Sequence, residues 1–378
     1  MTLLERMGVD LPIVQAPMAG VSTPLMAAAV SDAGALGSIG IGGSDLQGAG
    51  MMISQVRERT SRPFNVNVFC HQPPMADHAL ESAWLERLRP HFTRFHASPP
   101  LRLKEIYRSF VDDDEALALL LTTRPPVVSF HFGLPSLDKV DALREAGILL
   151  LATATNLKEA RMAVRSGVDA VVAQGYEAGG HRGVIDLDEE DTCIGTIALT
   201  RILVKEIDIP VIAAGGIMDG AGIAAVLKLG ATAAQLGTAF IACPESAADA
   251  GYRQALTSSA SHHTVMTRAI SGRPARALCN DFTALGSRVP DQQIPAYPIA
   301  YDAGKALNIA ARRAGVLGFG AQWAGQGAPL ARELPAAELV SVLAAELAHA
   351  CGSVPTTATY KNYPPSSRPV TVPLGEHQ

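Results

Sequence analysis

Eight short runs of continuous apolar character recur along the first two-thirds of the chain, each followed by a stretch with helical spacing. They are IVQAPMAG (13–20), LGSIGIGG (36–43), FNVNVFCH (64–71), VVSFHFG (127–133), ILLLATAT (148–155), AVVAQGYE (170–177), PVIAAGGI (210–217) and AAQLGTAF (233–240). A strand with one wet face alternates polar and apolar residues. Unbroken apolar runs fit strands buried on both faces, as in a parallel sheet covered by helices. The intervening helices mark their own ends. STPLMAAAVSDAG (22–34) opens with Ser and Thr ahead of a proline and stops at a glycine. NLKEARMAVRSG (156–167) opens on an Asn cap and stops at Gly167, and MDGAGIAAVLKLG (218–230) also ends in glycine. Eight strand–helix units predict an α/β fold of the (β/α)8 TIM barrel type. An open dinucleotide-binding sheet is disfavoured, since no Gly-x-Gly-x-x-Gly follows the first strand.

Near residue 242 the rhythm stops. The stretch 242–325 is irregular and reads as a smaller, mostly helical substrate or cap domain inserted after strand 8. Residues 1–241 and 326–355 are assigned to the barrel, with PAAELVSVLAAELAHACG (335–352) as a closing amphipathic helix. Residues 356–378, rich in proline, are expected to form an extended tail. The net charge of -5 and the absence of a dense Lys/Arg run argue against a nucleic-acid partner. No apolar run is long enough to span a membrane, and the N-terminus lacks a secretory pattern. The five cysteines are scattered and form no Cys-x-x-Cys pair, which fits reduced thiols, a cytoplasmic location and no zinc site.

Active sites of such barrels lie at the C-terminal ends of the strands. Asn67 and His71 end the third run, His131 the fourth, Gln174 and His181 the sixth, Gly215 and Gly216 the seventh, and Gln235 to Thr238 the eighth. Glycines after strands seven and eight can cradle a phosphate with bare backbone N–H groups, or can simply serve tight turns. A phosphate-bearing cofactor is expected, with FMN one candidate among several. In AQGYEAGGHRG (173–183), glycines would let the loop pack closely against a flat ring while His181 is presented to a substrate. His71 and His131 could line the pocket or act as structural donors. No acidic partner stands at ligand spacing, so no metal is expected. His262 and His263 are adjacent and would face opposite ways in a strand. Cys70 has nothing nearby to activate it, and Met18 could touch a cofactor or fill core. Tyr301 and Lys305 are four apart and share a face if helical; they could hold a carboxylate, or Lys305 could be an ordinary solvated lysine.

QAPMAGVSTPLMAAAVSDAGALGSIG (15–40), FNVNVFCHQPP (64–74), SFHFGLP (129–135), AQGYEAGGHRG (173–183) and AAQLGTAF (233–240) resemble the nitronate monooxygenases. FCHQPP, HFGLP and YPIAYDAGKAL (297–307) are similar to their class I branch, and the resemblance runs from residue 11 to about 325. It implies a barrel holding non-covalent FMN, and oxidation of alkyl nitronates by O2 to a carbonyl compound and nitrite. Propionate 3-nitronate is the implied natural substrate. The implied FMN contacts are Asn67, Gln174, Gly179, Gly216, Gln235, Leu236, Gly237 and Thr238. His181 is the implied catalytic base for neutral nitroalkanes, and Tyr107, Tyr297, Tyr301 and Lys305 the implied substrate contacts. Beyond the nitronate and O2 no partner is expected, in a monomer or homodimer. The alternative is an FMN-dependent NAD(P)H reductase of the quinone or enoyl-acyl-carrier-protein reductase kind. A phosphate-sensing barrel without catalysis is a third reading, and a dehydrogenase using Cys193 a fourth.

Overall fold

The computed structural model describes residues 1–352, so the expected tail at 356–378 lies outside the described residues. The strands are β1 (Ile13–Gln15), β2 (Gly37–Gly40), β3 (Phe64–Phe69), β4 (Val127–His131), β5 (Leu149–Ala154), β6 (Ala170–Gln174), β7 (Gly180–His181), β8 (Val211–Ala214), β9 (Ala233–Leu236), β10 (Thr264–Thr267) and β11 (Ala275–Leu278). Eight of them form one parallel sheet in the order β1-β9-β8-β6-β5-β4-β3-β2. A parallel bridge between Val14 and Leu36 joins its two ends, so the sheet closes into a (β/α)8 TIM barrel. Each barrel strand falls inside one of the apolar runs. Burial is unbroken along β1, β2, β3, β6 and β8, as strands covered on both faces require.

The helix signals act as read. Thr23 Oγ1 accepts from the Met26 amide at 3.1 Å, and the helix Pro24–Asp32 follows. Asn156 caps Leu157–Ser166, which ends at Gly167 in the left-handed region. The helix Ala336–Ala350 buries Leu339, Val340 and Leu343 in one cluster with Met26, Ile223 and Val226, sealing the barrel's outer layer beside β9 and β1.

A second sheet lies outside the barrel. β10 and β11 pair antiparallel, and β11 pairs with β7, with His181 opposite Ala275. A second apolar core joins Trp84, Leu88 and Phe92 to Ile270, Phe282, Ala300, Leu307 and Phe319. The helix His78–Arg94, which follows β3, therefore packs on the segment after residue 242, while the later helix Asp114–Thr123 joins the barrel's outer ring between its neighbours. Helical spacing reads alike in both helices and does not say which layer each covers. Among the described residues no helix is long and apolar enough to cross a membrane.

Candidate active site

A cavity of about 170 Å³ opens at the C-terminal ends of the strands. Asn67, Tyr107, Gln174, Gly179, His181, Gly216, Gln235, Gly237, Thr238, Tyr297 and Tyr301 all line it. Residues spread over the whole barrel and the later segment are thus brought together. Leu236 is placed otherwise: it does not line the cavity, and its side chain is buried in the core with Ile13, Met26 and Phe240. Lys305 also stays out of the lining. Its Nζ lies 4.7 Å from the Tyr107 ring centroid and 5.4 Å from that of Tyr301. Partial burial lowers its pKa, against the opposing charge of Asp302.

One end of the cavity carries unengaged backbone donors. The amides of Gly215, Gly216 and Gly237 donate to no group among the described residues, and all three glycines line the cavity. Unpaired N–H groups facing a pocket fit a phosphate's acceptor oxygens. Thr238 Oγ1 accepts from the Gly325 amide at 3.0 Å, which leaves its own proton free to donate. The amide side chains of Asn67 on β3 and Gln174 on β6 are used within the protein. Asn67 Nδ2 donates to the Ser129 carbonyl at 3.0 Å and to its hydroxyl at 2.9 Å. Gln174 Nε2 donates to the His181 carbonyl at 2.9 Å, and its Oε1 accepts from the Gly183 amide at 2.7 Å. Gln174 thereby clamps the loop that carries His181.

Gly179 and Gly180 line the cavity, yet Gly179 and Gly183 are also crowded by protein. A Cβ on Gly179 would lie 2.4 Å from the Gly325 nitrogen, and one on Gly183 would lie 2.5 Å from Thr153 Cγ2. Close backbone approach, and not contact with a flat ligand, is what excludes side chains at these two positions.

The His181 ring stands in an aromatic shell. Trp323, Tyr297, Phe132 and Tyr301 have ring centroids 5.0, 5.3, 5.5 and 6.1 Å away. Burial, then the neighbouring His131, Arg273 and His71, hold its pKa well below the ordinary histidine range. His131 joins Thr153 Oγ1 at 3.0 Å and the His181 carbonyl at 3.3 Å, and burial with the Arg273 charge brings it down to about 3. His71 is brought to about 4 for the same causes. Among the described residues neither of its ring nitrogens has a partner, nor does the hydroxyl of Tyr297, whose ring centroid is 5.0 Å away. All three imidazoles are therefore neutral near pH 7. A fixed cation beside them is Arg273, 2% exposed, which donates to the carbonyls of Arg182 and Val184 and has no carboxylate within ion-pair distance among the described residues. Its guanidinium carbon sits 4.3 Å from the Phe132 ring centroid.

Phe132, Tyr252 and Trp323 line the cavity as well, and sequence reasoning did not single them out. Phe132 has φ +73, rare for an aromatic residue and a mark of local strain. HFG places a glycine next to it, the one available hint. Met18 lines the cavity. Cys70 is buried and burial pushes its thiol pKa up, which makes it a poor nucleophile. His262 ends a short 3-10 helix and His263 follows it, so they are not strand neighbours. Among the described residues no group of three or more His, Cys, Asp or Glu could hold a metal. The arrangement can bind an anion at one end, and present a neutral imidazole to a carbon acid among phenolic donors at the other.

A family model described as nitronate monooxygenase matches residues 2–346. A nitronate monooxygenase of Paraburkholderia phytofirmans is 59% identical over 345 residues, covering 91% of this chain and 94% of that one. Among solved structures, a nitroalkane oxidase from Streptomyces ansochromogenes aligns with TM-score 0.83 at 44% identity, covering 91% of this chain and 98% of that one. FabK from Thermotoga maritima aligns with TM-score 0.70 at 30% identity, covering 93% and 96%.

Proposed function

Since the chain belongs to the nitronate monooxygenase family, we propose that it oxidises alkyl nitronates with O2 to a carbonyl compound and nitrite. In the same reading FMN is the cofactor and propionate 3-nitronate the natural substrate. The observation that carries it is the pairing, in one cavity, of unengaged amides at Gly215, Gly216 and Gly237 with a neutral imidazole at His181. FMN, when bound, supplies the electron acceptor. The three glycine amides and the Thr238 hydroxyl would hold its phosphate, and Gln235, whose side chain makes no hydrogen bond to the described residues, would be free to meet its polar edge. Tyr107, Tyr297 and Tyr301 donate to the substrate's nitro oxygens; burial holds the phenols in their protonated form, with Tyr107 raised to about 12. The aromatic shell excludes water. His181 takes the proton from carbon when the substrate arrives as a neutral nitroalkane. Residues 242–325, as a cap, cover the substrate end.

The direct test is an aerobic assay with propionate 3-nitronate, following oxygen uptake and nitrite together. Oxygen uptake with nitrite release is expected; no nitrite above the non-enzymatic rate would end this reading. The likeness to FabK keeps a reductase as the second reading. Anaerobic bleaching of the flavin by NADH or NADPH would favour it. Cys193 is exposed and does not line the cavity, so a dehydrogenase that needs it as nucleophile has no support.

Lys305 is assigned the carboxylate of propionate 3-nitronate, reached past Tyr107 and Tyr301. A charge-assisted contact is worth roughly 1.5–3 kcal/mol, and solvent exposure brings it to the low end. Lys305→Met should raise KM for propionate 3-nitronate about tenfold at low salt and less at high salt, with little change for ethyl nitronate. Equal changes for both substrates would remove Lys305 from that role.

A further inference from the structure

The segment Ser271–Ala275 touches the His181 loop at several points. Ser271 Oγ is 2.9 Å from His181 Nε2, Ala275 is the ladder partner of His181, and the Pro274 carbonyl accepts from the Arg182 amide at 2.8 Å. Arg273 adds a grip on the next peptide. It donates to the Val184 carbonyl, while the Ile185 amide on the same peptide unit donates to Glu159 Oε1 at 2.9 Å. A buried cation and a buried carboxylate thus hold one peptide from its two ends, four residues past the histidine.

Ser271 has one proton and two calls on it. Its hydroxyl lies 3.2 Å from the Arg273 carbonyl, and that carbonyl receives no other donor among the described residues. If Ser271 donated to His181 instead, the Arg273 carbonyl would be left unpaired, which folded interiors avoid. The proton therefore goes to the carbonyl, and the serine oxygen accepts from Nε2–H of His181. His181 Nδ1 makes no hydrogen bond within the described residues, and it is absent from the buried atoms that lack partners, so it is open to the cavity the ring lines.

We propose that Ser271 is a positioning residue that fixes His181 as the Nε2–H tautomer, so that Nδ1 is the nitrogen that acts on substrate. This rests on His181 being the base of the proposed function. The C–H bond next to the nitro group breaks, its proton goes to Nδ1, its electron pair stays on the substrate as the nitronate, and Nε2–H remains on Ser271. Among the described residues no carboxylate bonds to the serine, so the relay His181–Ser271–Arg273 carbonyl orients the ring without the charge support of a Ser-His-Asp arrangement.

The test is nitrogen NMR of the FMN-loaded protein labelled in histidine, with the His181 signals identified by their loss in His181→Asn. A pyridine-type Nδ1 and a pyrrole-type Nε2 are expected. A pyrrole-type Nδ1 would overturn the proposal. Ser271→Ala should mix the tautomers and lower kcat/KM for nitroethane about tenfold, with ethyl nitronate nearly unchanged, while Ser271→Thr restores both signals and rate. Unchanged tautomer and unchanged nitroethane rate in Ser271→Ala would also overturn it. The spectrum does not depend on turnover. The expected tautomer in a protein that releases no nitrite would defeat the proposed function and uphold the tautomer assignment.

Discussion

His181→Asn should lower kcat/KM for nitroethane by about 10²–10⁴-fold, the usual worth of a positioned general base. Ethyl nitronate has already lost the proton, so its kcat/KM should stay within roughly tenfold of the parent protein. Asparagine retains a polar side chain beside Ser271, and the pocket keeps Phe132, Tyr297 and Trp323, so the flavin content should be unaltered and is measured first. Equal loss on both substrates, with flavin retained, would make His181 a binding residue. The pH profile carries its own sign. A base whose pKa is depressed stays neutral as the pH falls through the ordinary histidine range, so the acid limb for nitroethane should begin below about 6.5. His71 and His131, held to about 4 and about 3, make a related contribution to stability. Between about 6.5 and those values the unfolded chain binds protons that the folded chain refuses, so stability falls as pH falls. Rates in that window are compared with the fraction still folded.

Gly237→Asp should yield folded protein without FMN. Gly237 has φ -107, open to any residue, and a Cβ there would meet Ala16 Cβ at 3.3 Å, a contact a small shift relieves. The barrel therefore tolerates the side chain. The carboxylate, however, enters the place where the Gly216 and Gly237 amides await an anion. Two like charges about 4 Å apart repel by about 4 kcal/mol at an effective dielectric near 20, which weakens binding about a thousandfold. The flavin-to-protein ratio after desalting, set beside the thermal midpoint of the apoprotein, reads the effect. A variant that keeps full FMN would move the phosphate away from this cradle.

Much of this architecture is legible in the residues because burial writes itself into composition. Strands covered on both faces need unbroken apolar runs, and each barrel strand lies inside one. Caps are local too: Thr23, Asn156 and Gly167 act within three or four residues of their own position. The strand-end rule and the family motifs brought most of the lining within reach, from Asn67 to Thr238. What escaped is non-local. Ser271 and Arg273 reach His181 only because a two-residue strand after β6 pairs with β11, a contact across some ninety positions. Phe132 is held in a left-handed conformation by packing, not by a propensity of its own. The destination of the helix His78–Arg94 depends on which of two cores accepts it, and amphipathic spacing is the same for either.

The crowding around Gly179 and Gly183 also limits how this protein can change. Any side chain at either position collides with fixed backbone or with the half-buried Thr153, so single substitutions at these two positions are purged as folding defects before their effect on specificity is felt. New substrate preferences must arise elsewhere. Tyr107, Tyr301 and Lys305 come from outside the barrel strands and are joined mainly by ring and cation contacts, which tolerate exchange. A library for altered substrates belongs at those three positions, with the histidine loop left constant; lineages of this fold are expected to diverge on the one face and stand still on the other.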